Sequence, residues 1–335
     1  MRRARIELGA IADLDNLARA AFAAGRGKRS RPEAMAFFAD LEASLARLAE
    51  GILAGTRPIG RYRAFTVWDP KRRIIHAPCF EDRVLHHALF AHAGPVLERG
   101  MVDSSFACRV GKGPLAAVHR AQSALRRWPW YVKVDVQGYF DGIDHGRLLA
   151  LLARRFKGAP LLALFERILG TYCTAPGKGL PIGTLASQYF ANAYLDGLDR
   201  LILEQLGARD HARYMDDSVW WCDSRGHARE SLECVRSFCA QECQVTIKPG
   251  ARIDRSAHGL SFLGYRILPG TLRLSRRRRR RYTGRRLHWE RVYARGELDA
   301  AGLQRAYAAV HAITVHADSK GWRRVSLAIH PQVEA

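Results

Sequence analysis

The feature that most constrains the fold is a pair of acids inside an apolar segment, Tyr214-Met215-Asp216-Asp217-Ser218-Val219-Trp220-Trp221. A carboxylate in such surroundings is costly unless it has a partner. Adjacent residues of a regular strand point to opposite faces of a sheet, whereas two acids at a turn can lie on the same side. Residues 213–222 therefore predict a tight β-hairpin whose turn presents Asp216 and Asp217 at the end of a sheet.

A third acid, Asp135, ends the β-rich run Trp130-Tyr131-Val132-Lys133-Val134-Asp135-Val136. Three carboxylates that meet at the end of a sheet need cations, and hard oxygen ligands favour Mg²⁺, with Mn²⁺ as a substitute. Two ions about 4 Å apart suit phosphoryl transfer, because they clamp the attacking and leaving oxygens. Taken alone, Asp216-Asp217 is more often an ordinary acidic turn, but its position behind Asp135 favours the metal site.

The chain carries a large excess of positive charge: 54 Lys and Arg against 32 Asp and Glu in 335 residues, a formal net charge of +22. A hydrophobic content of 48% is enough for a sizeable core and excludes a disordered basic tail. The charge indicates a polyanionic partner, with nucleic acid as the first candidate. A ribosome-associated protein or a merely basic surface would show the same charge, so charge alone does not define the chemistry.

The seven cysteines are odd in number and include no CxxC pair, so a reducing cytoplasm fits better than a disulfide framework. Cys234, Cys239 and Cys243 with His227 have an alternative role as zinc ligands, but their spacing favours a helix that buries small residues. Asp13 follows the basic N-terminus closely, which does not fit a signal peptide. No apolar run reaches the ~20 residues of a membrane span. We expect a soluble, cytoplasmic protein.

Hydrophobic periodicity and turn residues predict an α+β fold around an antiparallel sheet. The expected helices cover residues 33–54, 81–98, 114–127, 145–156, 160–172, a long stretch from the 176–183 loop to about 206, and 228–242. The expected strands cover residues 62–68 and 71–76, joined by a turn at Asp69-Pro70, then 130–136, the hairpin 213–222, 244–248, 261–267 and 271–274. At Ser275 the composition changes to six consecutive arginines and polar, helical sequence, which indicates a subdomain boundary.

In this order and spacing, the motifs resemble those of reverse transcriptases. Tyr214-Met215-Asp216-Asp217 is similar to the family's YxDD box, and Val134-Asp135-Val136-Gln137-Gly138-Tyr139-Phe140 to its first catalytic strand. Phe262-Leu263-Gly264-Tyr265 is similar to its primer-grip hairpin, and Arg73-Ile74-Ile75 to a block of its fingers. Several motifs in order are more specific than any one of them, and the likeness covers roughly residues 55–275.

The resemblance implies a right-hand polymerase that copies RNA into DNA from deoxynucleoside triphosphates (dNTPs). It implies fingers in residues 1–128, a palm in 129–270 with part of the fingers near 145–185, and a short helical thumb in 271–335. Asp135 and Asp216 would be the main ligands of two Mg²⁺ ions, supported by Asp217 and the Val136 carbonyl. Template RNA and an RNA/DNA primer duplex would be the partners.

Other residues receive roles from their chemistry and their motif position together. Phe140 would exclude a 2′-hydroxyl from the sugar site, although a core aromatic beside Tyr139 is a serious alternative. Arg73 would bind triphosphate oxygens through its planar fork, although a solvated strand face also carries such residues. The remaining predicted nucleotide contacts are Ile182, Gly183, which permits close backbone approach, Gln188, which with Ser187 opens a helix, and Lys248, a general acid.

The arginine-rich segment after Ser275 is predicted to track the template–primer backbone through sequence-independent contacts. Six consecutive arginines cover every face of a helix, and their repulsion needs a polyanion to offset it, which disfavours a simple solvated face. The predicted contacts are Arg276, Arg277, Arg278, Arg279, Arg280, Arg281, Arg285 and Arg286.

One segment indicates a particular group within the family. Most reverse transcriptases have glutamine and proline where Pro181-Ile182-Gly183-Thr184-Leu185-Ala186-Ser187-Gln188 has Ile182 and Gln188. This pattern resembles the enzymes of diversity-generating retroelements, which copy a template-repeat RNA, mutate at template adenines and work with a small basic accessory protein. The alternatives are a group II intron-like, retron-like or CRISPR-associated reverse transcriptase, and, in another class, an inactive RNA-binding scaffold with the same fold.

Overall fold

A computed structural model describes residues 2–68 and 71–330, so the predicted turn at Asp69-Pro70 lies outside the described residues. The helices are α1 (Leu8–Ala12), α2 (Leu14–Ala24), α3 (Pro32–Ala39), α4 (Leu41–Leu53), α5 (Phe80–Gly100), α6 (Pro114–Arg127), α7 (Tyr139–Gly142), α8 (His145–Arg155), α9 (Ala159–Leu169), α10 (Leu185–Tyr194), α11 (Asp196–Arg200), α12 (Arg225–Gln241), α13 (Arg276–Ala294), α14 (Ala300–His311) and α15 (Lys320–Ile329). The strands are β1 (Ala4–Arg5), β2 (Tyr62–Trp68), β3 (Arg72–Pro78), β4 (Trp130–Asp135), β5 (Phe156–Lys157), β6 (Asp210–Tyr214), β7 (Asp217–Cys222), β8 (Arg252–Arg255), β9 (Leu260–Phe262), β10 (Tyr265–Ile267) and β11 (Leu272–Leu274).

The central sheet has four strands in the order β6-β7-β4-β8, and all its neighbours are antiparallel. Smaller sheets are the hairpin β2-β3, the antiparallel sheet β9-β10-β11 and the parallel pair β1-β5. The α+β fold around an antiparallel sheet is therefore confirmed.

Alternate residues of the central strands enter two different cores. Val132 and Val134 of β4 join Trp220 of β7 in a core with the N-terminal helices, α5, α8 and α10. Tyr131 and Trp221, which point the other way, pack with α6 and the β9-β10-β11 sheet. Because side chains alternate along a strand, a sheet covered on both faces needs apolar residues at nearly every position, which explains the uninterrupted apolar runs.

Three predicted elements differ from the structure. The helix expected over residues 33–54 is divided into α3 and α4 at Asp40, whose backbone leaves the helical region (φ −131°, ψ 67°). The strand expected over 244–248 forms only a bridge between Ile247 and Val136, and the strand that pairs with β4 is β8 instead. The long helix ending near residue 206 is α10, α11 and a π-helical turn, Leu201–Gln205.

Cys239 of α12 and Cys243 just beyond that helix are buried, which agrees with the core interpretation, whereas Cys234 of α12 is exposed. Within residues 2–68 and 71–330, no helix combines the length and the apolar character that crossing a membrane requires.

A buried polar network lies beneath the β6-β7 turn. Arg213 donates hydrogen bonds to both carboxylate oxygens of Asp199 (2.7–3.0 Å), and neither side chain has any solvent exposure. His211 bonds to Ser104 (2.8 Å) and Ser218 (3.0 Å), and burial lowers the pKa of its imidazole to about 3, so that the ring is neutral at physiological pH. The network links α11 to the central sheet.

We predict that Asp199→Asn destabilises the protein by about 3–5 kcal/mol, because it leaves the Arg213 cation buried without its counter-ion. Asp223→Asn is the matched control, since it removes an exposed partner of Arg209 (2.6 Å) and should cost less than about 1 kcal/mol. Denaturant unfolding measures both free energies. Equal losses in the two variants would contradict the importance of the buried pair.

Candidate active site

The β6-β7 turn has the geometry of a two-residue hairpin. Tyr214 and Asp217 are cross-strand partners, so Met215 and Asp216 form the turn. Met215 has a left-handed backbone (φ 56°), which such turns require at their first position but which is uncommon for a residue with a side chain. Arg213 Nη1 donates to the Met215 carbonyl (3.0 Å), so that the buried network described above also fixes the turn.

The register of the sheet brings the predicted acids together. Asp135, the last residue of β4, and Asp217, the first residue of β7, are direct antiparallel partners, and direct partners project from the same face. The Asp216 carbonyl accepts a hydrogen bond from the Val136 amide (3.3 Å), which holds the turn against the end of β4. Pairing across the sheet and the adjoining turn therefore place Asp135, Asp216 and Asp217 at the same end of the sheet.

Two lysines compensate the like charges. Lys248 forms an ion pair with Asp135, and its amide also donates to the Asp135 carbonyl (2.9 Å). Lys133 Nζ forms an ion pair with Asp217 Oδ1 (2.8 Å), a buried oxygen. Lys133 was not predicted as a site residue, although a cation in the middle of an otherwise apolar strand was a usable signal.

The carboxylates still repel one another despite these lysines. Burial raises the pKa of Asp217 to about 6, Lys133 opposes that rise, and the charges of Asp135 and Asp216 add to it. Burial and then the Asp135 charge raise the pKa of Asp216, whereas Lys248 and Arg73 lower it. Burial together with the neighbouring negative charges therefore disfavours the ionised forms of Asp216 and Asp217, and the local cations oppose this only in part.

The site fits a divalent metal by its chemistry but does not present a ready ligand group. The donors are all oxygen, which suits Mg²⁺, and the buried Asp217 Oδ1 is held by the Lys133 ammonium alone among the described residues. However, no three of the acids in the described chain are arranged together as ligands, which differs from the expected cluster. Asp135 and Asp217 instead each form an ion pair with a lysine, Lys248 and Lys133 respectively.

The loop of residues 176–183 connects the site to the β2-β3 hairpin. The Leu180 amide donates to the Phe140 carbonyl (2.8 Å), and the His76 amide donates to the Ile182 carbonyl (2.7 Å). Gly183 has φ 118°, and a Cβ atom there would lie 2.7 Å from the Ile75 side chain. Glycine is therefore required for the loop to contact β3.

Arg73 lies near the acids. It is exposed on β3, and strand alternation gives it the same face as Ile75, which contacts the loop at Gly183. Its charge lowers the pKa of Asp216. The hairpin therefore extends a cation towards the carboxylates.

The remaining predicted nucleotide residues lie around the same loop. Phe140 is half-buried, packs against the core and meets the Tyr139 ring edge-on, with 5.7 Å between the ring centroids. Part of its ring therefore belongs to the core, as the alternative interpretation predicts. Gln188 is half-buried in the first turn of α10. The helix does not open at Ser187 as expected: Thr184 is its N-cap, and its hydroxyl accepts from the Ser187 amide (3.0 Å).

The predicted primer grip is a second two-residue hairpin turn. Phe262 and Tyr265 are cross-strand partners and are buried, and Leu263 (φ 47°) and Gly264 (φ 83°) form the turn. The Gly264 carbonyl accepts from the Ser275 amide (3.1 Å) directly before α13. The turn is therefore joined to the start of the arginine-rich helix.

The arginine run does not present all its cations to solvent. Arg278 stacks on the Tyr265 ring (4.1 Å to the centroid) and Arg279 lies over Trp322 (5.5 Å). The other members, together with Arg285, are exposed: Arg276, Arg277, Arg280 and Arg281. Arg286 is not at the surface that the sequence predicted, because it is 1% exposed and pairs with Glu290 (3.2 Å).

These features agree with the family to which the chain belongs. A model of the family "Reverse transcriptase (RNA-dependent DNA polymerase)" matches residues 69–267, more than half of the chain, and the chain is a member of that family. It therefore has the right-hand polymerase fold of that family, built on the antiparallel sheet described above.

Relatives and solved structures give more distant similarities. The chain is 25% identical over 181 residues to the group II intron-encoded protein LtrA of Lactococcus lactis subsp. cremoris, covering 49% of this chain and 29% of LtrA. It is 22% identical over 247 residues to protein YkfC of Escherichia coli K12, covering 59% of this chain and 64% of YkfC. Each match spans less than two thirds of the relative's length. Apo telomerase from Candida tropicalis aligns with a TM-score of 0.48 at 11% identity, covering 70% of this chain and 53% of that chain.

We predict that Gly183→Ala destabilises the protein more than Gly177→Ala does. Both glycines have positive φ, but a Cβ atom at Gly177 (φ 69°) meets nothing within 4 Å, whereas at Gly183 it collides with Ile75. Gly177→Ala should cost about 1–2 kcal/mol from backbone strain alone. Denaturant unfolding measures both, and equal losses would mean that the loop does not press on β3.

Proposed function

We propose that this protein is an RNA-directed DNA polymerase that extends a primer on an RNA template with dNTPs. The observation that carries the proposal is the direct cross-strand pairing of Asp135 and Asp217, with Asp216 in the adjoining turn. Burial and neighbouring carboxylate charges raise the pKa values of Asp216 and Asp217, so holding these two acids ionised costs stability. An inactive RNA-binding scaffold would gain nothing from keeping these acids together, so their arrangement disfavours this alternative.

Asp135, Asp216 and Asp217, with the Val136 carbonyl, would hold two Mg²⁺ ions, for which Mn²⁺ can substitute. When bound, the ions supply charge stabilisation to the attacking and leaving oxygens of phosphoryl transfer. Lys248 would give a proton to the departing pyrophosphate, and its ion pair with Asp135 supports this role because it lies beside the acids.

The incoming dNTP would lie between β3 and the 176–183 loop. Arg73 would bind the triphosphate, which its exposure and its effect on Asp216 support. Gly183 would allow close approach of the sugar and base, Gln188 would face them from α10, and Phe140 would exclude a 2′-hydroxyl. The hydrogen bonds that tie the loop to Phe140 and His76 would make this pocket rigid.

Template and primer would pass from the palm to the thumb. We assign the fingers to residues 1–128, the palm to 129–270 with part of the fingers near 145–185, and the thumb to 271–335. Phe262, Leu263, Gly264 and Tyr265 would position the primer end, and the exposed arginines of α13 would bind the duplex backbone. The bond between Gly264 and Ser275 supports a coupled movement of the two elements.

Within the family, we propose that the enzyme serves a diversity-generating retroelement in the cytoplasm and copies a template-repeat RNA with errors at adenine. A small basic accessory protein would be its partner. Ile182 is the residue that favours this assignment over a group II intron-like enzyme, because its side chain has neither donor nor acceptor with which to hold a correct base pair.

We predict that Asp216→Asn lowers the rate of primer extension at least a hundredfold, about 2.7 kcal/mol of barrier, while template–primer binding is retained. The reason is the loss of a charge that holds the metal ions. Asp223→Asn, which changes an acid just beyond the other end of β7, is the control and should keep full activity. Extension of oligo-dT on poly-rA measures the rate, and a loss below about tenfold would contradict the assignment.

A second prediction concerns fidelity. Wild-type enzyme should misincorporate most often opposite template adenine, and Ile182→Gln should lower that error frequency about five- to tenfold, the worth of one added hydrogen bond of ~1 kcal/mol. Sequencing of complementary DNA made on a defined RNA measures the errors, and thermal melting controls for folding. Equal error frequencies opposite all four bases in the wild type would exclude the retroelement and leave a generic reverse transcriptase.

A further inference from the structure

A cleft lined by arginines lies near the end of α10 that is farther from Gly183. It has a volume of about 310 Å³, and its walls are Arg2, Gly100, Arg154, Arg155 and Arg200. These residues come from the start of the chain and from the ends of α5, α8 and α11. Because they converge from separate parts of the chain, the cleft is not a local run of charge.

The parallel pair β1-β5 brings the N-terminal arginine into the cleft. Ala4 is paired with Phe156 and Arg5 with Lys157. Continued by two residues, this register places Arg2 level with Arg154. The short strand β1 therefore adds a cation to the end of α8.

Two of the arginines are held rigidly. Asp196 Oδ2 accepts hydrogen bonds from Arg155 (2.6 Å) and Arg200 (3.3 Å). The same two guanidinium groups donate to the Leu97 carbonyl (3.2 Å) and the Gly100 carbonyl (2.7 Å) at the end of α5. A Cβ atom at residue 100 would lie 1.6 Å from Arg155 Nη1, so the guanidinium occupies the space beside Gly100 that a side chain would fill.

Capping of the α5 C-terminus explains Arg155 and Arg200, but it does not explain the other two arginines. Arg2 and Arg154 are exposed, and neither makes a hydrogen bond or ion pair within the part of the chain that the structure describes. The acids near the cleft, Asp196 and Glu204, are both already bonded to Arg155 or Arg200. The charges of Arg2 and Arg154 are therefore the two in the cleft that no acid of the described residues pairs with.

We propose that this cleft binds phosphate groups of an RNA backbone, at a site separate from the candidate active site. Guanidinium groups bind phosphate in a bidentate manner, and Arg155 and Arg200 are already oriented by Asp196. The ten-residue helix α10 is about 15 Å long, with the Gly183 loop at one end and Asp196–Arg200 beyond the other. RNA bound at the cleft is therefore retained outside the reacting centre, which is a function beyond the proposed activity.

RNA is favoured over a free nucleotide because the cleft offers arginines, which bind phosphate groups. No aromatic ring lines the cleft on which the base of a nucleotide could stack. Recognition by cations alone is independent of sequence and falls with salt concentration. The formal net charge of +22 agrees with contacts over more than one surface.

The test compares Arg2→Gln/Arg154→Gln with Arg19→Gln/Arg229→Gln. Each double variant removes two exposed arginines without hydrogen bonds or ion pairs in the described chain, so the change in net charge is the same. Affinity is measured against salt concentration for a long structured RNA and for a short RNA/DNA primer duplex. Thermal melting confirms that both variants fold.

The cleft variant should lower the salt slope for the long RNA by about 1.4–1.8, the value for two lost phosphate contacts, and leave the slope for the short duplex unchanged. Equal effects of the two variants would show general electrostatics and overturn the proposal, as would an equal loss for the short duplex. Calorimetric binding of inorganic phosphate that the cleft variant abolishes, with an unchanged RNA slope, would identify a small-anion site and also overturn it. These measurements need no catalysis, so they are separate from the test of polymerase activity.

Discussion

The buried ion pair between Arg213 and Asp199 is the interaction on which the geometry of the candidate active site depends. Both side chains are fully buried, so Asn192 and the chain around them must satisfy the remaining donors of the guanidinium. The same guanidinium bonds to the Met215 carbonyl, at the position of the turn with positive φ. Buried ion pairs contribute little net stability but are costly to break. The pair therefore fixes one conformation of the turn, and with it the directions of Asp216 and Asp217.

The acids beside this turn and the lysines that pair with them form the second important feature of the site. Asp135 and Asp217 face each other across two strands, an arrangement of like charges that is unfavourable by itself. Lys248 and Lys133 offset it with one unit of charge each, while burial, with a smaller effect of the Asp135 and Asp216 charges, raises the pKa of Asp217 to about 6. A divalent cation carries more charge at one point than an ammonium group does and accepts several oxygen ligands. The two lysines thus hold Asp135 and Asp217 through single charges, which a divalent cation can replace.

The sequence predicted those elements whose apolar pattern matches their burial. Residues 114–127 form α6 with the expected bounds. The hairpin around Asp216 and Asp217 was predicted because two acids inside an apolar run are most readily accommodated at a turn. The break at Asp40 was not predictable, because the apolar spacing continues through it and only the backbone of the tertiary fold departs from the helix. The pairing of Arg213 with Asp199 was also missed, since their contact depends on how α11 packs on the sheet.

The arginines show why net charge does not locate a nucleic-acid surface. In the single run of α13, Arg278 and Arg279 lie on aromatic rings, and later in the same helix Arg286 pairs with a buried glutamate. Which cation is structural depends on the partner that the tertiary fold provides, and the sequence of the run does not contain that information. The exposed cations that a polyanion can reach lie on separate elements, on α13 and at the arginine-lined cleft beside β1 and α8. Because phosphate contacts act additively in the salt dependence of binding, two such surfaces would be distinguishable by the lengths of RNA that reach them.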